Sequence, residues 1–394
     1  RILILTIFLK EVTDMSILIK SGRLIDPANG IDDTLDLLIQ EGRIAQVGKN
    51  LDGNGAEVID AAGLLVPPGL IEMQLNGGFG NDFTADPSTI WTVAGDLAQF
   101  GITTFLPTVI TSSIPNTAKA RKVVTEGKPA GYKGCNPLGL HLEGPFLNPE
   151  KKGAHNPDYI CTAKAENIEG WSPDGGVRLV TLAPEMPDAL EAIRVLAKRG
   201  VVVSAGHTQA TYEESMAGFD AGITYGTHLF NAMPALHHRK PGLPGALLYD
   251  ERVTVGVIVD GVHVHPSLIK VIWEAIGPKR MNAVTDALAA TGLPPGSKCR
   301  LGDFDVIVTE KVCTLADGTI SGAVISLDRG LRNLIEFAGC TLGEALETMT
   351  TTPARCLGME GRIGCLEPGA QADMVLLTSD YMVDSTFAGG EKVY

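Results

Sequence analysis

After Pro67 the chain repeats one pattern: a short apolar run bounded by glycine or proline, then in most cases a helix-like stretch. That repetition constrains the fold more than any other feature. Eight runs read as strands: GLIEMQLN, ITTFLPT, LGLHLEG, VRLVTLAP, VVVSAGH, ITYGTHL, VTVGVIVDG and MNAVTDA. Strands covered on both faces lose the polar/apolar alternation of half-exposed ones, which fits a buried parallel sheet. Between them PSTIWTVAGDLAQF, MPDALEAIRVLAKRG, ATYEESMAGFDAG and PSLIKVIWEAIG have helical character. The third-to-fourth connection and PGLPGALLYDE are ambiguous. Eight alternating units predict an α/β fold, a TIM-type (β/α)8 barrel spanning residues 67–364. A doubly wound open sheet competes, but no G-x-G-x-x-G follows the first strand.

The flanks differ. Residues 16–66 alternate short β-rich runs with turns, and 365–394 return to the same texture, so both chain ends are expected to build one small β-sandwich domain. The opening RILILTIFLKEVTDM is broken by Lys10 and Glu11 and has no small-residue cleavage site. Residues 1–15 are therefore expected to be an extension outside the fold and not a signal peptide. No apolar run is long enough for a membrane span. The formal charge of −14 argues against nucleic acid or an anionic membrane as partner. Seven cysteines without a C-x-x-C pair fit a reducing, cytoplasmic setting.

In a (β/α)8 barrel the chemistry sits at the C-terminal strand ends. Those positions hold Gln74 and Asn76 (first strand), Glu143 (third), His207 (fifth), His228 (sixth) and Asp286 (eighth). Singly, each reads as a loop cap or a satisfied hydrogen bond. Together, two histidines and a glutamate at one barrel mouth form a zinc-type ligand set with a position left for water. Asp286 is placed to serve as general base. Gln74 and Asn76, two apart on one strand, point to the same face. Histidines there would suggest metal binding, whereas neutral amides are weak ligands.

The segments HLEGPFLNPEKKGAHNPDYI, SAGHTQAT, THLFNAMPALHHRKPG, IVDGVHVHP, VTDALAATG and TISGAVISLDRGLRNLIE resemble the N-acetylglucosamine-6-phosphate deacetylase family of the amidohydrolase superfamily. The likeness runs in consistent order from about residue 16 to the C-terminus, including the tail PGAQADMVLL. It implies one divalent ion, Zn²⁺ before Fe²⁺ or another metal, on Glu143, His207 and His228. A second site is lost, because the amides replace His-x-His and no lysine ends the fourth strand. Gln74 and Asn76 are left to position substrate or water, or to act as a structural hydrogen-bond pair. The implied reaction is hydrolysis of the acetamide of N-acetylglucosamine 6-phosphate, with hydroxide generated on the metal as nucleophile and Asp286 as general base and acid.

The same resemblance makes His155 of KKGAH, with Ala154, a contact near the carbonyl. Asn231, Ala232 and Arg239 are its expected phosphate contacts, His263 a further substrate contact, and Ile320, Ser321 and Gly322 a segment closing over the substrate. It also implies a homodimer. His263 and His265 form a His-x-His beyond the seventh strand, the wrong place for a metal pair, and His237 and His238 read as solvated. Other functions stay open: a deacetylase for the epimer N-acetylgalactosamine 6-phosphate, a cyclic-amide hydrolase, or an inactive barrel serving as a scaffold. The cyclic-amide reading lacks His-x-His and the fourth-strand lysine; the scaffold reading must explain why every ligand and the base are present.

Overall fold

The computed structural model of the chain describes residues 16–394 apart from 54, 310, 311, 316, 317 and 319. The expected extension, residues 1–15, lies outside the described residues. Strands Ile17–Asp26, Ile31–Gln40, Arg43–Gly48, Glu57–Asp60 and Leu65–Val66 join Met374–Leu377, Val383–Ala388 and Glu391–Lys392 in one eight-stranded sheet. The two chain ends meet where Leu65 pairs with Leu377. Ile19, Leu37, Leu376 and Phe387 are packed in its core.

The barrel strands are β1 (Leu70–Leu75), β2 (Ile102–Ile110), β3 (Leu140–Glu143), β4 (Val177–Leu182), β5 (Val202–Ala205), β6 (Ile223–Gly226), β7 (Thr254–Ile258) and β8 (Met281–Val284). They match the eight apolar runs, and each pairs in parallel with its neighbour from β1 through β8. Closure between β8 and β1 is made at their upper ends. Leu75 bridges Ala287, Asp286 N donates to Gln74 O at 3.0 Å, and Asn76 N donates to Ala287 O at 2.8 Å. One layer lower a side chain joins the two strands: the Glu72 carboxyl group accepts from Gln74 N at 2.9 Å and from Thr285 N at 3.1 Å.

Helices α1 (Ile90–Asp96), α2 (Ile114–Thr125), α3 (Ala189–Lys198), α4 (Tyr212–Ala221), α5 (Gly242–Tyr249), α6 (Pro266–Ile276) and α7 (Leu327–Ala338) follow successive strands, except between β3 and β4. That ambiguous connection is a long loop with three 3₁₀ turns, whereas PGLPGALLYDE forms α5. Sequence reading did not single out α2, because it buries only Thr117 and Ala120 and has a weak apolar stripe. Its start is marked by Ser113, which accepts from Asn116 N at 3.3 Å. After β8 an antiparallel sheet of β9 (Lys298–Leu301), β10 (Phe304–Val308), β11 (Val312–Thr314) and β12 (Ile320–Ala323) lies over the barrel mouth, tied down by the Ala287–Ala323 bridge. Among the described residues no helix is long and apolar enough to cross a membrane.

Candidate active site

Glu143 is the last residue of β3, and the chain leaves it through Gly144 at φ 92°. A Cβ there would stand 2.1 Å from Thr111 Oγ1, so this close approach requires glycine. His207, His228 and Asp286 each sit two residues beyond their strand, with φ of 49°, 32° and 51°. Left-handed backbone is uncommon outside glycine and persists where surrounding contacts hold it. Those contacts include Asn148 N on His207 O at 2.9 Å and Asp286 N on Gln74 O.

The turns aim three ligand atoms at one point. His207 Nε2 and His228 Nε2 lie 3.1 and 3.0 Å from Glu143 Oε1, and 3.1 Å from each other. All three residues are buried. His207 Nδ1, 2.8 Å from Lys151 O, can donate its proton there and leave the Nε2 lone pair free. Two imidazole lone pairs 3.1 Å apart repel unless a cation lies between them, and two nitrogens with one carboxylate oxygen are the donor set of a divalent transition ion. The residues therefore fit a metal. Burial works against charge on Glu143, but the two histidines beside it hold its carboxyl well below the usual range. For His228, burial alone would lower the pKa; the bond to Glu143 raises it above the ordinary value.

Asp286 stands beside this cluster. Its Oδ1 accepts from Asn76 Nδ2 at 2.8 Å and from Gln74 Nε2 at 3.1 Å, and Gln74 Nε2 is also 3.1 Å from Glu143 Oε1. Burial first, and the Glu143 charge second, push the Asp286 carboxyl up to about 6. A carboxylate of that basicity suits a general base near neutral pH. The first-strand amides thus hold the Asp286 carboxylate and link it to that of Glu143. Among the described residues, the buried side-chain oxygens Gln74 Oε1 and Asn76 Oδ1 have no hydrogen-bond partner.

His155 faces the same point with a defined tautomer. Thr111 N lies 3.2 Å from His155 Nδ1, and a backbone N–H can only donate, so the ring carries its proton on Nε2. That nitrogen is 3.9 Å from Glu143 Oε2. Burial first, then His207, lower the His155 pKa to about 3, which keeps the ring a neutral donor.

These groups open into one cavity of about 360 Å³. Ala154, Asn231, Ala232, His263 and Gly322 lie on its wall with Asn76, while Ile110, Leu288 and Leu301 form an apolar side. Ile320 and Ser321 share β12 with Gly322; their side chains lie outside what the structure describes. Arg239 is exposed and does not line the cavity. His265 instead caps α6, and His237 and His238 are exposed, as their loop positions suggested.

Three residues that sequence reading did not select belong to the site. Asp260 orients His263, with Oδ2 2.6 Å from Nδ1, and its i, i+3 spacing in DGVH was the available signal. Thr111 fixes His155, and Lys151 lines the cavity. Neither carries a local signal, since a threonine after an apolar strand and a lysine in a polar loop are common.

The amidohydrolase family model matches residues 65–393. An N-acetylglucosamine-6-phosphate deacetylase of Danio rerio is 37% identical over 378 residues, covering 91% of this chain and 92% of that protein. An N-acetylgalactosamine-6-phosphate deacetylase of Escherichia coli O157:H7 is 33% identical, covering 96% of this chain and 99% of that protein. Among solved structures, a mutant N-acetyl-D-glucosamine-6-phosphate deacetylase of Mycobacterium smegmatis in complex with N-acetyl-D-glucosamine-6-phosphate superposes with a TM-score of 0.88 at 33% identity. It covers 96% of this chain and 99% of that one.

Proposed function

The chain belongs to the amidohydrolase family, and from that premise we propose that it hydrolyses the acetamide of N-acetyl-D-glucosamine 6-phosphate to D-glucosamine 6-phosphate and acetate. The observation that carries this reading is the meeting of Glu143, His207 and His228 with Asp286 and His155 at one cavity. A divalent ion on the three ligands, Zn²⁺ in this reading with Fe²⁺ as its rival, supplies a Lewis acid and acidifies water. Asp286 takes a proton from the attacking water and returns it to the amide nitrogen as the C–N bond breaks. His155, through Nε2–H, donates to the acyl oxygen as negative charge develops on it. Asn76 and Gln74 keep the base aimed by engaging Oδ1, and Leu288 and Leu301 exclude water from one side.

The epimer N-acetylgalactosamine 6-phosphate is the second reading, favoured by the Escherichia coli O157:H7 relative. A homodimer and a cytoplasmic setting complete the reading. Exposed Leu236, Tyr249 and Val271 support the first and the free thiols support the second. The test pairs metal content with acetate release for the wild type and Asp286→Asn on both epimers. The expected result is about one ion per chain in both proteins, with turnover lost only in Asp286→Asn. Activity confined to the epimer, or two tightly held ions, would displace this reading.

A further inference from the structure

We propose that Asp82 is a positioning residue for the reaction, holding the hairpin turn between β9 and β10 against the barrel so that Leu301 stays in the cavity wall; its rate readout rests on the deacetylase reading above. The sheet over the barrel mouth runs β9–β10–β11–β12, and its β12 edge is tied down beside Asp286, where Leu288 N donates to Ala323 O at 3.2 Å. β9 forms the opposite edge. Leu301, at its end, is 2% exposed and lines the cavity with Ile110 and Leu288.

Asp82 supplies the tie at that edge. Its Oδ1 accepts from Gly302 N at 3.1 Å, across 220 residues of sequence, and from Ala85 N at 2.6 Å within its own loop. That loop is a fixed support: Asn81–Asp82 pairs with Gly77–Gly78, Phe83 N donates to Asn76 O at 3.0 Å, and Phe79 N donates to Thr291 O at 2.8 Å. Asp82 is 4% exposed, and a hydrogen bond in such a low-dielectric setting is stronger than one at the surface.

Gly302 is left-handed at φ 55° and makes a two-residue turn with Asp303, since Leu301 pairs with Phe304. A Cβ on Gly302 would stand 3.3 Å from Ile110 Cδ1, so the turn rests on the strand that leads to Thr111. Asp303 Oδ2 accepts from Asn156 Nδ2 at 2.8 Å, and Asn156 follows His155. The turn is thus clamped between the loop after β1 and the loop that carries His155. It also stands between two cavities. Leu301 lines the active-site cavity, Gly302 and Asp303 line a polar one of about 280 Å³, and Ile110 lines both. Releasing the turn would displace Leu301 and open the apolar side of the site to polar space.

The experiment uses the metal-loaded full chain near pH 8, where the Asp82 carboxyl, raised by burial to about 6, is ionised. It compares Asp82→Ala, Asp82→Asn, Leu301→Ala and the double variant Asp82→Ala/Leu301→Ala. The readouts are kcat/KM for N-acetylglucosamine 6-phosphate, metal content, and deuterium exchange at Gly302 N–H. Asp82→Ala should speed exchange at Gly302 while β3 stays protected, and should lower kcat/KM roughly tenfold to a hundredfold with the metal retained. Asp82→Asn keeps an acceptor at Oδ1 and should restore most of both. Because Asp82 acts through Leu301, its replacement should cost much less in the Leu301→Ala background. Asn156→Ala frees the same turn from its other side and gives the same reading if Asp82→Ala does not fold. Unchanged exchange or kcat/KM, additive effects of the two substitutions, or metal lost in step with the rate overturns the proposal. If the wild type releases no acetate, the deacetylase reading fails; the proposal is then decided by exchange and by affinity for glucose 6-phosphate, which need no turnover.

Discussion

Asn76 donates its side-chain amide to Asp286, Nδ2 to Oδ1 at 2.8 Å, across 210 residues of sequence. With Gln74 on the same oxygen, this bond gives the first-strand amides a role that metal ligation does not: they aim the Asp286 carboxylate, the proposed base, and lower the cost of burying its charge.

Replacing Asn76 with alanine removes a donor that favours the carboxylate form. A hydrogen bond to a charged group is worth about 1.5–3 kcal/mol, so the Asp286 pKa should rise by about 1–2 units. The acid limb of kcat/KM should move to higher pH by that amount, with metal content retained. An unmoved limb would detach Asn76 from the base.

A general base acts as the carboxylate, so with Asp286 in that proposed role kcat/KM of the wild type should fall as pH drops through its pKa. Burial, then Glu143, place that value at about 6. The charge of a bound cation shifts the limb downward. A pH–rate profile of the loaded enzyme flat down to pH 4 would exclude Asp286 as the titrating base.

His155→Ala should leave the metal in place, since His155 is not one of the three converging ligands. Loss of one preorganised donor to a developing oxyanion costs on the order of 10²–10³ in kcat. A loss of metal parallel to the loss of rate would make His155 structural instead.

Removing the ion with a chelator should abolish acetate release, and returning Zn²⁺ or Fe²⁺ should restore it. His228→Ala, which leaves two of the three ligands, should bind the ion far more weakly. Full activity of the chelated protein would remove the metal from the reaction.

Glu72 gives a pH signature in stability. Burial raises its pKa from 4.5 to about 8, so the folded state holds a proton that the unfolded chain releases. Its contribution is complete below the unfolded pKa and is lost as pH rises through about 8. Relative to Glu72→Gln, the wild type should lose up to about 1.4 kcal/mol per pH unit across this window. Denaturation of both proteins between pH 5 and 8 measures it, and a constant difference would mean that Glu72 is ionised when folded.

The sequence by itself determined the barrel, because apolar runs punctuated by glycine and proline are local signals and each strand registers its own burial. It also determined which strand ends bear Glu143, His207, His228 and Asp286. A period of two gives the face of a side chain but neither its distance from another strand nor its backbone hand. The tertiary structure alone decided that the three later residues adopt left-handed turns, that Glu72 joins β1 to β8, and that Gln74 reaches Asp286 across 212 residues. It also set Lys151 on the cavity wall and Arg239 off it. The physical reason is that hydrogen bonding and electrostatics act over a few ångströms, and which groups come that close is set when the barrel closes.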